Sequence, residues 1–133
     1  QKGTKIESDG TVYIFANLKK DRQLEDHLKY NDVFINEHLF QWETQTNTTL
    51  INTHGKKLLN SKLVHLFVRR EENEDGITIP YTYVGTGQLS DPELSSNPNK
   101  TLIFQLILDN DLPQPLWQEF LIEFNEDTFN GSD

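Results

Sequence analysis

The sequence predicts a single mixed α/β domain: a curved, mostly antiparallel sheet or open β-barrel of about five to seven strands with flanking helices. Three observations predict it. The chain has 133 residues, the size of one domain with a sizeable core. Its apolar residues fall in short runs rich in β-branched and aromatic side chains, bounded by polar turn clusters. Helical spacing is confined to two short segments, and no repeat or heptad pattern is present.

Each element follows from its residues. Residues 1–10 are polar and begin abruptly at Gln1, so they are expected to be a linker or an artificial boundary, with the domain proper over 11–126 and a flexible tail over 127–133. Val12 to Leu18 follows the turn signal Asp9-Gly10 and reads as the first strand. Asp21 to Tyr30 places Leu24, His27 and Leu28 at helical spacing behind a capping Asp21, which predicts a short helix. Phe34 to Glu43 is a strand or a mixed extended segment. Leu63 to Arg70 is the clearest central strand, and Asn73 to Gly76 turns it into a second one over Ile77 to Val84, where Pro80 calls for an edge or a bulge. Gly85 and Gly87 permit a bulge or a close backbone approach. Ser90 to Asn99 is a loop and Thr101 to Leu108 another apolar strand. After Pro113 and Pro115, the residues Leu116, Trp117, Phe120, Leu121 and Phe124 share one helical face suited to covering the open side of the sheet.

The formal net charge is −9 and the pI about 4.8, which argues against a protein held on DNA by its overall field. The imbalance is uneven. From Thr44 to Arg70 there are Lys56, Lys57, Lys62, Arg69 and Arg70 and no acid, whereas after Lys100 there are seven acids and no Lys or Arg. The basic window starts beside Phe40, Gln41, Trp42 and Glu43 and contains Gln45, Asn47, Thr48 and Thr49. Cations for phosphates, aromatics for stacking and amides for base edges are the ingredients of a nucleic-acid reading surface. The other reading is a solvated loop beside an ordinary core strand.

Other chemistries find little footing. Cysteine is absent, which removes disulfides, thiolate metal sites and thiolate nucleophiles and fits a reducing, intracellular location. There is no signal-peptide pattern and no long apolar run. The four histidines, His27, His38, His54 and His65, lack metal-ligand spacing, so no metal is expected. Gly85-Thr86-Gly87 lacks the remaining parts of a phosphate-binding loop. The acids Glu71, Glu72, Glu74 and Asp75 crowd into a turn and read as solvated, and no serine sits in a nucleophile elbow.

The order Asp32-Val33-Phe34-Ile35-Asn36, Phe40-Gln41-Trp42-Glu43-Thr44-Gln45, Leu66-Phe67-Val68-Arg69 and Tyr81-Thr82-Tyr83-Val84-Gly85 closely resembles DUF3427. This domain ends certain helicase-like proteins that carry a phospholipase D-like nuclease at the other end. Members of that architecture resemble ATP-dependent, modification-dependent (type IV) restriction enzymes, and the chain is similar in its Lys- and Asn-rich character to the staphylococcal ones. The resemblance implies a target-recognition domain of the SRA and PUA group, with a strongly curved sheet and flanking helices. It implies recognition of 5-methylcytosine in double-stranded DNA by base flipping, in antiphage defence in the bacterial cytoplasm. It also implies that the domain is itself no enzyme and holds no cofactor. ATP, a divalent metal and the hydrolase residues then belong to the parent chain, whose helicase-like domains are expected partners.

Carried onto this sequence, the resemblance implies a base pocket around Trp42, with Tyr30, Phe40, Tyr81 and Tyr83 as opposing walls; any of these aromatics can instead serve the core. Asp32 and Glu43 are candidates for cytosine N4. The family's Phe-x-Trp-Gln-Ser-Gln stretch has Glu43 in place of the first Gln after Trp. Gln45, Asn47, Thr48 and Thr49 are expected at the base edge or phosphate, and Lys56, Lys57, Lys62, Arg69 and Arg70 at phosphates. The competing class is a protein-interaction module that docks its exposed aromatics on the helicase or a partner subunit.

Overall fold

The computed structural model describes residues 3–18, 32–44, 48–94 and 101–120. The apolar runs become strands: β1 (Thr4–Ile6), β2 (Thr11–Asn17), β3 (Val33–Asn36), β4 (Leu39–Glu43), β5 (Leu63–Arg69), β6 (Asn73–Glu74), β7 (Ile77–Thr78), β8 (Thr82–Leu89), β9 (Glu93–Leu94) and β10 (Leu102–Leu108). Among the described residues two helical segments flank them, α1 (Thr53–Leu59) and α2 over residues 114–120. One strongly curved sheet, a half-barrel, runs in the order β1-β2-β5-β8-β10-β4-β3, with β9 also on β10. Every pairing in it is antiparallel except β2 with β5.

That parallel pair dictates the path of the chain. Parallel neighbours cannot be joined by a hairpin, so the connection must leave and return. After β2 the chain reappears at the opposite edge as the β3–β4 hairpin, then passes through α1 and enters β5 in register, Thr11 beside Leu63 through Asn17 beside Arg69. Alternation then sorts the side chains: Val12, Ile14, Ala16, Val64, Leu66 and Val68 are buried on one face. Phe40, Trp42, Leu102, Phe104, Leu106 and Leu108 extend this core, and Leu58 of α1 and Phe120 of α2 close it.

Several expectations are corrected. The stretch expected as a linker includes β1, whose residues pair with Val12 to Ile14. Ile77 to Val84 is not one strand, because Pro80 separates β7 from β8. Asp75 and Gly76, with φ of 52° and 78°, instead form the two-residue turn of a separate β6–β7 hairpin. Helix α1 lies inside the basic window, where no helical period predicts one; Asn52 caps it through Oδ1, which accepts from Gly55 N at 2.9 Å. The helix expected over Asp21 to Tyr30 and the tail over 127–133 lie outside the described residues.

The two glycines of β8 act differently. Gly85 has φ of 144° and sits where the β5–β8 register shifts, so that Leu66 faces Gly85 while Phe67 faces Tyr83. Gly87 is a close approach: a Cβ there would lie 2.4 Å from the Ile107 carbonyl oxygen on β10. Gly87→Ala is therefore expected to push β8 from β10 and cost about 2 kcal/mol, a drop of roughly 5–8 °C in a thermal melt.

Candidate nucleic-acid interface

Three surfaces carry chemistry, and the first lies where β4 ends. The register Ile103 opposite Glu43 and Gln105 opposite Gln41 puts these four side chains on the face away from Phe40 and Trp42. Glu43 is nonetheless only 5 % exposed. Its carboxylate accepts from the Thr101 hydroxyl, and its backbone N–H donates to Asp32 Oδ1 at 2.9 Å. Beside it Thr44 is clamped to β10 both ways: its N–H donates to the Leu102 carbonyl at 2.8 Å and its hydroxyl accepts from Leu102 N at 2.9 Å. Thr48 is buried as well. Gln105 Nε2 donates to Gln41 Oε1 at 3.2 Å, while Gln105 Oε1 is buried with no hydrogen-bond partner among the described residues. This end of the sheet is rich in acceptors, which suits a ligand that offers N–H groups.

The second surface is the basic one, and the five cations are not together. Lys56 and Lys57 lie on α1, and with Lys62 they line a groove of about 460 Å³ against the β1–β2 turn. Hydrogen bonds from the Thr11 N–H and hydroxyl hold the Asp9 carboxyl below its usual range, and Lys62 adds to this. Arg69 and Arg70 lie at the other end of β5. Arg69 Nε donates to Asn17 Oδ1 at 2.6 Å, Nη1 donates to the Ile79 carbonyl at 3.0 Å, and the guanidinium lies 4.1 Å from the centre of the Tyr81 ring. Arg70 pairs with Glu74 at 3.0 Å. The arginines thus tie the β6–β7 hairpin to the sheet, and the lysines alone remain as a cluster.

The third surface is aromatic and occupies the non-core face of β2, β5 and β8. Tyr13 stacks on His65 at 5.0 Å and Phe15 on Phe67 at 4.8 Å, with ring planes within 16° of parallel. Tyr81 meets the Phe15 ring edge-on, and the Tyr83 hydroxyl lies 2.9 Å from His65 Nδ1. The stacking distances match the spacing of neighbouring strands. The two stacked pairs therefore face one another along the sheet, whereas Tyr83 is tilted 46° from Phe67 and half exposed.

The expected pocket aromatics are thereby divided. Phe40 and Trp42 are in the core, where Trp42 is 4 % exposed and packs on Phe104 with ring centres 5.9 Å apart. Tyr81 and Tyr83 stand on the other face of the sheet. Tyr30, Gln45 and Asn47 lie outside the described residues. The structure does bring Asp32 and Glu43 together, and it adds Thr44 and Thr101. Thr49 lies just before α1, where its hydroxyl accepts from Asn52 N at 3.2 Å. Thr101 joins Glu43 across 58 positions, a separation that leaves no local pattern to read. Among the described residues no group of three metal-ligating side chains is close enough to hold an ion.

The DUF3427 family, described as a domain of unknown function, matches residues 1–120. The chain belongs to this family. Two crystal structures of the SUVH5 SRA domain in complex with fully methylated CG DNA are similar to the DUF3427 chain, each at 18 % identity over 85 % of this chain and 77 % of theirs, with TM-scores of 0.52 and 0.53. The MspJI restriction endonuclease in complex with a 27-mer oligonucleotide aligns at 10 % identity over 80 % of this chain and 31 % of its own, with a TM-score of 0.49. No curated protein matches the DUF3427 chain significantly in sequence. The SUVH5 likeness is one of architecture: the fold is SRA-like.

Burial at two positions has measurable consequences. Trp42→Ala is expected to cost about 3–5 kcal/mol of stability, read as a lower denaturation midpoint, because it empties a core position. The second position is His54, whose Nε2 is buried with no hydrogen-bond partner among the described residues. Burial, with the Lys57 charge, holds its imidazole below the ordinary 6.5. As pH falls below that value the unfolded chain takes up a proton that the folded one refuses, so stability is full above it and declines down to the lowered folded value. Urea unfolding at roughly pH 7.5 and roughly pH 5.5 should show this loss in the native protein and a smaller one in His54→Gln.

Proposed function

We propose that this domain recognises double-stranded DNA containing 5-methylcytosine, by rotating the modified base out of the duplex, as the target-recognition part of an ATP-dependent, modification-dependent restriction endonuclease. The observation that carries the reading is the acceptor-rich cluster of Asp32, Glu43, Thr44 and Thr101 at one end of an SRA-like half-barrel. Cytosine presents its N4 amino group as a donor, and a fixed carboxylate is the natural acceptor for it. The neighbours of SRA fold were solved on fully methylated CG DNA, which supports the same partner here. In this reading the domain binds and does not catalyse. ATP and a divalent metal serve other domains of a bacterial cytoplasmic enzyme, and helicase-like domains of the same chain are its neighbours.

The roles divide by chemistry. Asp32, partly exposed and held by the Glu43 N–H, reads the base edge, supported by the buried Glu43 and joined by Gln45, Asn47, Thr48 and Thr49 on the segment that follows β4. Tyr30, two positions before Asp32, is the proposed stacking wall, in preference to the core residues Trp42 and Phe40. Lys56, Lys57 and Lys62 hold phosphates without regard to sequence.

Fluorescence anisotropy with matched duplexes at fixed salt tests the proposal. The methylated duplex is expected to bind tighter, and equal affinities would overturn the reading. Asp32→Asn together with Glu43→Gln keeps the side-chain shapes and the hydrogen-bond acceptors but removes the charges. That pair is expected to weaken the methylated complex by about tenfold; the N4 amino group is common to both bases, but unmodified DNA, held in this reading by phosphate contacts without base rotation, should bind at least as well as before. Neutralising the three lysines should instead weaken both complexes alike and lower the salt slope by about 0.9 for each phosphate that is no longer neutralised.

One observation favours a second reading. The ordered aromatic row, with Tyr83 50 % exposed, suits docking of a partner domain better than stacking of bases. Tyr83→Ser would then weaken association with the helicase-like region and leave methylated-DNA affinity unchanged.

A further inference from the structure

Between the acceptor-rich cluster and the lysines of α1 the chain makes a tight, well-pinned turn whose tip is aliphatic. Leu50 is 44 % and Ile51 80 % exposed. Three features hold the tip in place. Asn52 N donates to Thr49 Oγ1 at 3.2 Å, Asn52 Oδ1 caps α1 at Gly55 N, and the Gly55 backbone lies so close to the Thr49 carbonyl that any Cβ would overlap it. The turn is therefore set by its own hydrogen bonds and by a glycine contact, none of which involves the Leu50 or Ile51 side chains.

Helix-start chemistry does not explain these two residues. Ile51 directly precedes the cap, the position from which an apolar side chain packs against the fourth helical residue. That residue here is Lys56, and Ile51 remains largely in solvent. Single exposed aliphatics are common on surfaces. An adjacent pair on a pinned turn is a different matter, because the fold holds apolar surface outward at a fixed place. Its surroundings in sequence are cationic: Lys56, Lys57 and Lys62 follow, and the whole stretch from Thr44 to Arg70 contains no acid, although Glu7 and Asp9 of the β1–β2 turn line the same groove as the lysines.

An apolar tip that leads into the helix carrying the lysines proposed to hold phosphates matches what is needed to enter a base stack. Proteins that unstack DNA insert aliphatic side chains between base pairs while cations hold the flanking phosphates. We infer that Leu50 and Ile51 form a wedge that enters the duplex beside the recognised base and occupies the space that base vacates. The inference rests on the proposed binding of modified duplex DNA and adds the residues that stabilise the opened duplex. A protein or membrane contact for the same tip is the alternative outcome of the test.

The experiment uses the intact chain and a methylated duplex with 2-aminopurine next to the methylcytosine, whose fluorescence rises when its neighbours unstack. Leu50→Ser with Ile51→Ser should leave the thermal midpoint unchanged, since both side chains are exposed. It should lower affinity for the methylated duplex by about tenfold and abolish most of the fluorescence rise. Binding to a duplex carrying an abasic site opposite the 2-aminopurine, already partly unstacked, should be weakened much less. The swap Leu50→Ile with Ile51→Leu should restore both signals. A doubly serine-substituted chain that keeps the affinity within about twofold and the full fluorescence rise would overturn the wedge and leave the DNA reading intact. A native chain that binds neither duplex would overturn both.

Discussion

Strand β10 is hydrogen-bonded along both edges, and the rest of the structure depends on it. One edge carries β4; the other carries β8 and then β9. The strand thus joins the β1-β2-β5-β8 half of the sheet to the β3–β4 hairpin that the parallel β2–β5 connection left at the far edge. Its alternate residues Leu102, Phe104, Leu106 and Leu108 are buried, so both halves share one core. The segment that follows is fastened to the same hairpin, with Leu108 N donating to the His38 carbonyl and Leu112 N to the Glu37 carbonyl, each at 2.8 Å. The hydrogen bonds that begin β10 are also the ones that build the candidate site. Thr101 and Leu102 engage Glu43 and Thr44, so the cluster is placed by the same strand that closes the fold.

Much of the fold was legible because burial imposes alternation. Val12 to Leu18, Leu63 to Arg70 and Thr101 to Leu108 are strands in which a period of two coincides with β-branched and aromatic composition. Gly85 and Gly87 signalled a bulge or a close approach, and the structure has the first at Gly85 and the second at Gly87. Helix α1 was hidden because only Gly55 and Leu58 of its seven residues are buried, too few to write a helical period. Edge strand β1 was hidden because its hydrogen bonds along one flank make it a strand, and its polar composition gave no sign. The β6–β7 hairpin shows a local rule overriding a longer pattern, since Asp75-Gly76 turns the chain and Pro80 cannot donate into a continued ladder.

The site was less legible than the fold, for a different reason. A run such as Phe40-Gln41-Trp42-Glu43 shows which side chains are present but not which face of the sheet each takes. Once β4 pairs with β10, Phe40 and Trp42 go to the core, and Gln41 and Glu43 to the other side. The basic window was likewise one feature in sequence and two in space. Seven residues of β5 separate Lys62 from Arg70, and the arginines find structural partners at the far end. The resemblance to DUF3427 supplied the curved sheet and the family, whereas the roles of individual side chains required the register.

The arrangement also bears on how the proposed recognition of 5-methylcytosine would distinguish a methyl group. Burying one methyl is worth only about 0.8 kcal/mol, less than tenfold in affinity. A reader of modified cytosine therefore needs the rest of its selectivity from a pocket that already holds the cytosine ring in one position. A charge-neutral surface of flexible polar groups would not do this, because each would reorganise to suit either base. Glu43 is held by the Thr101 hydroxyl on one side and, through its backbone, by Asp32 on the other, and Thr44 beside it is clamped twice to β10. Such acceptors cannot follow a displaced ring, so in the proposed complex a base bound by them is held in one position. On this argument the rigidity of the β4–β10 junction matters as much as the identity of the residues it presents.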